Sequence, residues 1–401
     1  MPAQGRPAPV LGQTGAVHEL VAIDLPGGPA FVDALRRTWD EGDAVMPVDQ
    51  RLSAPGRRAL FGSLAPGAVV GPGGRRKLSG GLAVQEGDAL VVPTSGSTGQ
   101  PKGVVLTHDA VRASALATSR RLGVEPDRDR WLACLPLNHV GGLSVVTRAL
   151  RTGTALEVHP GFDVERVLAS AGPEVLVSLV PTALARTGAS PFRTVVLGGS
   201  APPGDLPANV VTTYGMTETG SGVVYDGWPL DGVEVRVAPG GEISLRCPML
   251  LRCYRDGTVP LGPGGWLRTG DSGHFGADGR LHVDGRLSEM VITGGENVWP
   301  APVEDVLRRH PGVADVGVAG RPDPEWGEVV VAVVAPSDPG APPDLLELRA
   351  LVRDQLAAYC APRDLVLVEA VPRTAIGKLR RAELARLARL SCPTAAEGPG
   401  A

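Results

Sequence analysis

The sequence predicts an α/β protein, with a large N-terminal domain of mixed or parallel sheets, helices and a small β region, followed by a small α+β C-terminal domain. Three observations predict it. Short β-branched apolar segments alternate with helix-like stretches through the first half of the chain. From about Val233 the pattern changes to closely spaced strands with Gly-rich turns, and after Arg286 a smaller unit begins.

The elements follow in order. "ALVVP" (89–93), "VLVSLVP" (175–181) and "TVVLGG" (194–199) are too short for helices and read as buried strands. Between them, "HDAVRASALATSRRL" (108–122) and "FDVERVLASA" (162–171) carry helical spacing. "GVEVRVAPGGEISLRC" and "GWLRTGDSGHFGADGRLHVDGR" read as an antiparallel region. The C-terminal unit offers the helix "APVEDVLRRH", the buried strand "EVVVAVVAP", a Pro-rich loop near 336–343 and the helix "DLLELRALVRDQLAAY". The expected domains are therefore 1–286 and 287–390, with "CPTAAEGPGA" in a disordered tail over 391–401. No internal repeat is evident.

Composition narrows the function classes. The chain has 401 residues, 43% apolar and 20% charged, which suits globular domains with a sizeable core. A net charge of −4 and a pI near 6.0 give no basic excess, so nucleic acid and anionic membrane surfaces are not expected partners. Five cysteines, odd in number and without a C-x-x-C pair, argue against a disulfide framework and a zinc site. No apolar run approaches the roughly 20 residues that span a bilayer, and the N-terminus is not read as a signal peptide. A cytoplasmic protein with small-molecule ligands and no membrane insertion is the expectation. The oligomeric state is left open, with a homodimer among the options.

Of the 39 Lys plus Arg residues, only Lys77, Lys102 and Lys378 are lysines. A chain that uses Arg almost everywhere keeps Lys where a compact ammonium must follow a moving oxygen. Lys102 lies near the end of "TSGSTGQPKGV" (94–104), in which Gly96 and Gly99 among hydroxyl residues let backbone N–H groups face a phosphate chain. A flexible Ser/Gly turn is the other reading of those glycines. A Walker A loop would run into a helix, whereas Pro101 precedes this lysine and the extended "GVVLT" follows it. The segment is therefore expected between two strands. Lys77, in "GGRRKLSG", is placed in a polar loop with no chemistry around it.

Five motifs in order make the chain resemble the adenylate-forming superfamily of acyl-CoA synthetases, peptide-synthetase adenylation domains and luciferases over about 85–390. "TSGSTGQPKGV" resembles its phosphate loop, "YGMTETG" (214–220) its adenine and magnesium motif, and "RTGD" (268–271) its ribose motif. "GRLSEMVITGGENVWPAPVE" (from Gly285) resembles the interdomain hinge, and "PRTAIGKLRR" (from Pro372) the catalytic-lysine loop. The resemblance implies ATP, Mg²⁺ and CoA as cofactors and a mobile C-terminal domain. It implies an ATP site of Thr94, Ser95, Gly96, Ser97, Thr98, Gly99 and Lys102, with Gly198, Gly199 and Ser200 of "LGGSAP", and Tyr214, Gly215, Thr217, Asp271 and Arg286. Physical roles suit these types: a flat ring for adenine at Tyr214, a hydroxyl at Thr217, and at Glu218 a hard carboxylate for Mg²⁺. Asp271 can accept from ribose hydroxyls. Catalysis is implied for Lys378, Lys102, Thr217 and Glu218, with Ser288 as the hinge.

"SLVPTALART" (178–187) and "LPLNHVGGL" (135–143) are similar to the o-succinylbenzoate:CoA ligase group of menaquinone biosynthesis. That places a carboxylic acid pocket at His139, Gly141, Gly142, Thr182 and Arg186, where the glycines would leave room for a ring and Thr182 or Arg186 would receive a second carboxylate. Another aryl- or acyl-CoA synthetase, or a stand-alone adenylation enzyme loading a carrier protein, shares the remaining motifs. Asn138, Ser288 and Cys360 depart from residue types common in relatives.

Overall fold

The strands form where valine, leucine and alanine runs can be covered on both faces. Val91, Val92, Val104 and Val105 are each almost fully buried, as are Leu176, Val177 and Val195. The computed structural model describes residues 18–95, 101–200, 202, 204–373 and 379–390.

Two seven-stranded sheets build the large part. The first runs Cys253–Tyr254, Pro101–Thr107, Asp88–Ser95, Ala44–Pro47, Leu20–Ile23, Ala68–Gly71, Gly74–Lys77. Its central strands are parallel and both ends are antiparallel, so the sheet is mixed. The second runs Trp228–Pro229, Ser221–Tyr225, Val210–Met216, Phe192–Leu197, Gly172–Leu179, Arg130–Ala133, Ala155–Val158, parallel except at its first two strands. Lys77 differs from the sequence expectation: it lies on an exposed edge strand, Gly74–Lys77, not in a loop.

The helix His108–Leu122 starts where Thr107 Oγ1 accepts from the Ala110 N–H at 3.1 Å and stops at Gly123, with φ at 58°. It touches strands of both sheets, and Val140–Thr152 packs beside it. One apolar cluster joins these helices to the two sheets through Val92, Leu106, Trp131, Leu176 and Val224. An antiparallel five-stranded sheet follows, with Glu242–Arg246 and Leu281–Arg286 both paired to Trp266–Phe275.

Residues 291–390 have their own sheet and helices. Gly327–Pro336 pairs with Val313–Asp323, Val291–Thr293 and Asp364–Leu367. Its period-two alternation fills both faces. Val330, Ala332 and Val334 join the cluster that holds the helices Pro300–Leu307 and Leu345–Gln355, while Val329, Val331 and Val333 face Leu384 and Ala388 of Arg381–Leu390. The continuous run "EVVVAVVAP" is thus a strand covered on both sides.

Among the described residues, no helix is long and apolar enough to cross a membrane.

Candidate active site

The strands Asp88–Ser95 and Pro101–Thr107 are an antiparallel pair in which Thr94 faces Lys102 and Ser95 faces Pro101. The two strands expected on either side of the glycine-rich segment are present and paired. Thr94 Oγ1 donates to the Lys102 carbonyl at 3.4 Å. Gly96, Ser97, Thr98 and Gly99 lie outside the described residues, as does Lys378. Arg373 and Leu379, which stand before and after that lysine within its motif, pair as an antiparallel bridge.

Tyr214 and Gly215 sit near the end of Val210–Met216, where the pairing to Ser221–Tyr225 shifts register. A Cβ at Gly215 would fall 2.3 Å from the Ser221 carbonyl, so only glycine permits this approach. Gly198 and Gly199 follow the neighbouring strand Phe192–Leu197, with Gly199 at φ +93° and Ser200 exposed. Thr217 and Glu218 occupy the 3₁₀ turn Thr217–Thr219. Thr219, not Thr217, closes that turn by accepting from Met216 N–H at 2.9 Å.

Asp271 is 6% exposed and has two partners. Tyr214 Oη donates to Oδ2 at 2.7 Å, and Arg286 Nε lies 2.7 Å from Oδ1. The pairing is set by register, since Asp271 and Arg286 face each other across adjacent strands. Burial raises the Asp271 carboxyl above its ordinary value against the pull of Arg286 and Tyr214. Burial, with Asp271 beside it, also pushes the Tyr214 phenol up, so that it remains a donor.

Glu218 Oε1 accepts from Tyr254 Oη at 2.8 Å. The Lys102 ammonium lies 5.4 Å from the centroid of that same ring. Two tyrosines therefore gather the site residues, Tyr254 joining Lys102 to Glu218 and Tyr214 reaching the Asp271–Arg286 pair. Among the described residues, no group of three or more His, Cys, Asp or Glu gathers as a metal cage. A single carboxylate with a second oxygen left over suits Mg²⁺, which binds through one or two carboxylates together with substrate phosphates.

The acid side is less as expected. His139 caps the helix Val140–Thr152 from an extended conformation, and a nearby cavity is lined by Val140, Leu143, Ser144, Thr147, Gly220 and Met249, among others. Gly142 is buried, and a Cβ there would meet the Leu135 and Pro136 carbonyls at 2.4 and 2.6 Å. Its missing side chain serves backbone packing rather than making room for a ring. Gly141 is exposed. Thr182 and Arg186 are exposed on the helix Pro181–Thr187, with the Arg186 guanidinium 5.2 Å from the Phe162 ring centroid. The structure does not bring these two to that cavity. Ser288 is exposed in the turn Leu287–Glu289.

Three residues carry no signal that the sequence alone made plain. Arg148, 1% exposed, stacks 4.6 Å from the Trp131 centroid and donates from Nη2 to Ser221 Oγ at 3.2 Å, while its Nε and Nη1 have no hydrogen-bond partner among the described residues. Arg381, three residues beyond Lys378, pairs from Nε with Glu289 at 2.9 Å and also with Glu304. Tyr254 is one of only four tyrosines in the chain, the one signal that could have drawn attention to it.

A family model described as AMP-binding enzyme matches residues 82–254, and one described as AMP-binding enzyme C-terminal domain matches 302–378. The chain belongs to the AMP-binding enzyme family. A probable 2-succinylbenzoate–CoA ligase from Mycobacterium tuberculosis is 40% identical over 365 residues, covering 84% of this chain and 94% of that protein. The structure of o-succinylbenzoate CoA synthetase from Bacillus subtilis with its acyl-adenylate intermediate superposes with a TM-score of 0.80 at 28% identity, covering 91% of this chain and 88% of that one. The same synthetase in complex with ATP and magnesium ion gives a TM-score of 0.79, again at 28% identity, over 91% and 89% of the two chains. The family accounts for the order of the motifs and for the mixed α/β architecture.

Proposed function

We propose that this enzyme is an ATP-dependent, AMP-forming acid:CoA ligase that converts o-succinylbenzoate to o-succinylbenzoyl-CoA in menaquinone biosynthesis. The observation that carries the chemistry is the set Lys102, Glu218, Tyr214, Asp271 and Arg286, which offers a cation, a metal carboxylate and a ribose acceptor. The substrate reading is supported by the names of the succinylbenzoate relatives.

Two steps follow. A carboxylate oxygen of the acid bonds to the α-phosphorus of ATP, the bond to the oxygen bridging to the β-phosphorus breaks, and pyrophosphate leaves. The thiol sulfur of CoA then bonds to the acyl carbon, its proton going to solvent, and AMP departs with the carboxylate oxygen. Tyr214 presents a ring to adenine, ionised Asp271 accepts from the ribose hydroxyls, and Lys102 places its charge at the phosphates. Mg²⁺, held by Glu218 when bound, would offset charge on the phosphate oxygens. Lys378 is assigned to the acid carboxylate and α-phosphate in the first step, with rotation near Ser288 withdrawing it for the second.

The test is pyrophosphate release from ATP and Mg²⁺ with a panel of acids, with and without CoA. Release with o-succinylbenzoate that becomes a CoA thioester is expected. Release only with other acids would keep the reaction and discard the substrate; silence with every acid would discard both.

A further inference from the structure

We propose that Tyr254 is a positioning residue that sets the magnesium carboxylate against the phosphate lysine, its phenol holding Glu218 and its ring face seating Lys102. The inference rests on the reading of Glu218 as the magnesium ligand given above.

The backbone first fixes where the ring can be. Cys253–Tyr254 pairs antiparallel with the strand that carries Lys102, Tyr254 facing Val104. Arg255 N–H donates to the Gly103 carbonyl at 2.7 Å and Arg252 N–H to the Val105 carbonyl at 2.9 Å, so the segment is clamped on both sides of the tyrosine. Leu251 N–H donates to the Glu218 carbonyl at 2.7 Å, which ties the same segment to the turn that presents Glu218. Tyr254 N–H is held by the Thr258 carbonyl at 2.8 Å. A short piece of chain thereby spans the two groups whose spacing the reaction needs.

The side chain completes the link. With Oε1 engaged by Tyr254 at 2.8 Å, the Glu218 carboxylate is fixed in rotation and Oε2 is the oxygen left for a cation. The ring faces the Lys102 ammonium at 5.4 Å from its centroid, an attraction that holds the charge near without neutralising it, as a carboxylate would. Loss of an outer-shell hydrogen bond of this kind weakens metal affinity by about 10- to 100-fold.

The experiment measures Mn²⁺ as a probe for Mg²⁺, by electron paramagnetic resonance with ATP present and no acid, so no turnover enters. Tyr254→Phe keeps the ring and removes the hydroxyl. It is expected to weaken Mn²⁺ binding by about tenfold while leaving metal-free ATP binding unchanged. Tyr254→Leu removes the ring as well and should weaken metal-free ATP binding too, through Lys102. Melting curves identify folded variants; a purely structural tyrosine would lower the melting temperature without moving the Mn²⁺ constant. If Glu218→Gln weakens Mn²⁺ binding and neither Tyr254 variant does, the proposal is overturned and the reading of Glu218 stands. If Glu218→Gln also binds Mn²⁺ as the native enzyme does, the metal assignment falls and the proposal with it.

Discussion

Replacing Arg286 with methionine keeps the aliphatic stem and removes the charge that faces Asp271. The Asp271 carboxyl is already raised by burial, and Arg286 is the first of the influences that pull it back. With Nε 2.7 Å from Oδ1 and charge centres about 4 Å apart, an effective dielectric constant near 20 gives roughly 4 kcal/mol. The Arg286 side chain is 49% exposed, so solvent screening reduces this to about 1–2 kcal/mol. About 1.4 kcal/mol corresponds to one pH unit. Ribose recognition requires ionised Asp271, so ATP binding is lost as the pH falls through the Asp271 value. In Arg286→Met that loss should begin about one pH unit higher, beside the pH-independent loss that follows from removing an ATP-site cation. Fluorescence titration with an N-methylanthraniloyl ATP analogue across the acid to neutral range measures it. Asp271→Asn is the control, weak at every pH. A pH midpoint for ATP binding that is unmoved in Arg286→Met would refute the electrostatic argument. Stability runs in the opposite direction. Because the folded value is raised, the contribution is present below the ordinary carboxylate value and is lost as pH rises through the folded one.

Three further outcomes are expected. Arg186→Ala should raise KM for a keto-diacid by about tenfold if its guanidinium leaves Phe162 to meet a second carboxylate; equal effects on diacid and monoacid in steady-state assays would remove that role. Arg381→Met severs the link from the helix after Lys378 to Glu289 beside Ser288, so adenylate formation should slow severalfold in single-turnover assays while thiolysis of supplied acyl-adenylate is spared. Burial pushes the Cys134 thiol up to about 12 and Cys247 up to about 11, so in native protein at mildly alkaline pH iodoacetamide should label Cys360 before either, as peptide mass spectrometry would show.

The large features were legible because local pattern and tertiary environment agree. "EVVVAVVAP" is unbroken since both its faces are covered, and "HDAVRASALATSRRL" carries a capping threonine before it and a glycine after it. The two mixed sheets were less so, because strand direction depends on connections that periodicity does not encode. In the site, Asp271 and Tyr214 were visible as motif members, yet their hydrogen bond joins strands 57 residues apart. Tyr254 was missed for the same reason: it sits on a two-residue strand, and only pairing with Pro101–Thr107 brings it to Lys102. Gly142 was misread because a glycine that admits a ligand and one that admits a carbonyl look alike in sequence. Arg148 shows the opposite limit, a charged residue on a helix that turns inward onto Trp131.

An acyl-adenylate is the intermediate on which both steps depend, and isotope transfer tests it most directly. With o-succinylbenzoate carrying ¹⁸O in its carboxyl groups, attack on the α-phosphorus and later thiolysis leave one labelled oxygen in AMP and none in pyrophosphate. Mass spectrometry of the quenched products should find that single label in AMP. Unlabelled AMP, or label in pyrophosphate, would contradict the two-step mechanism.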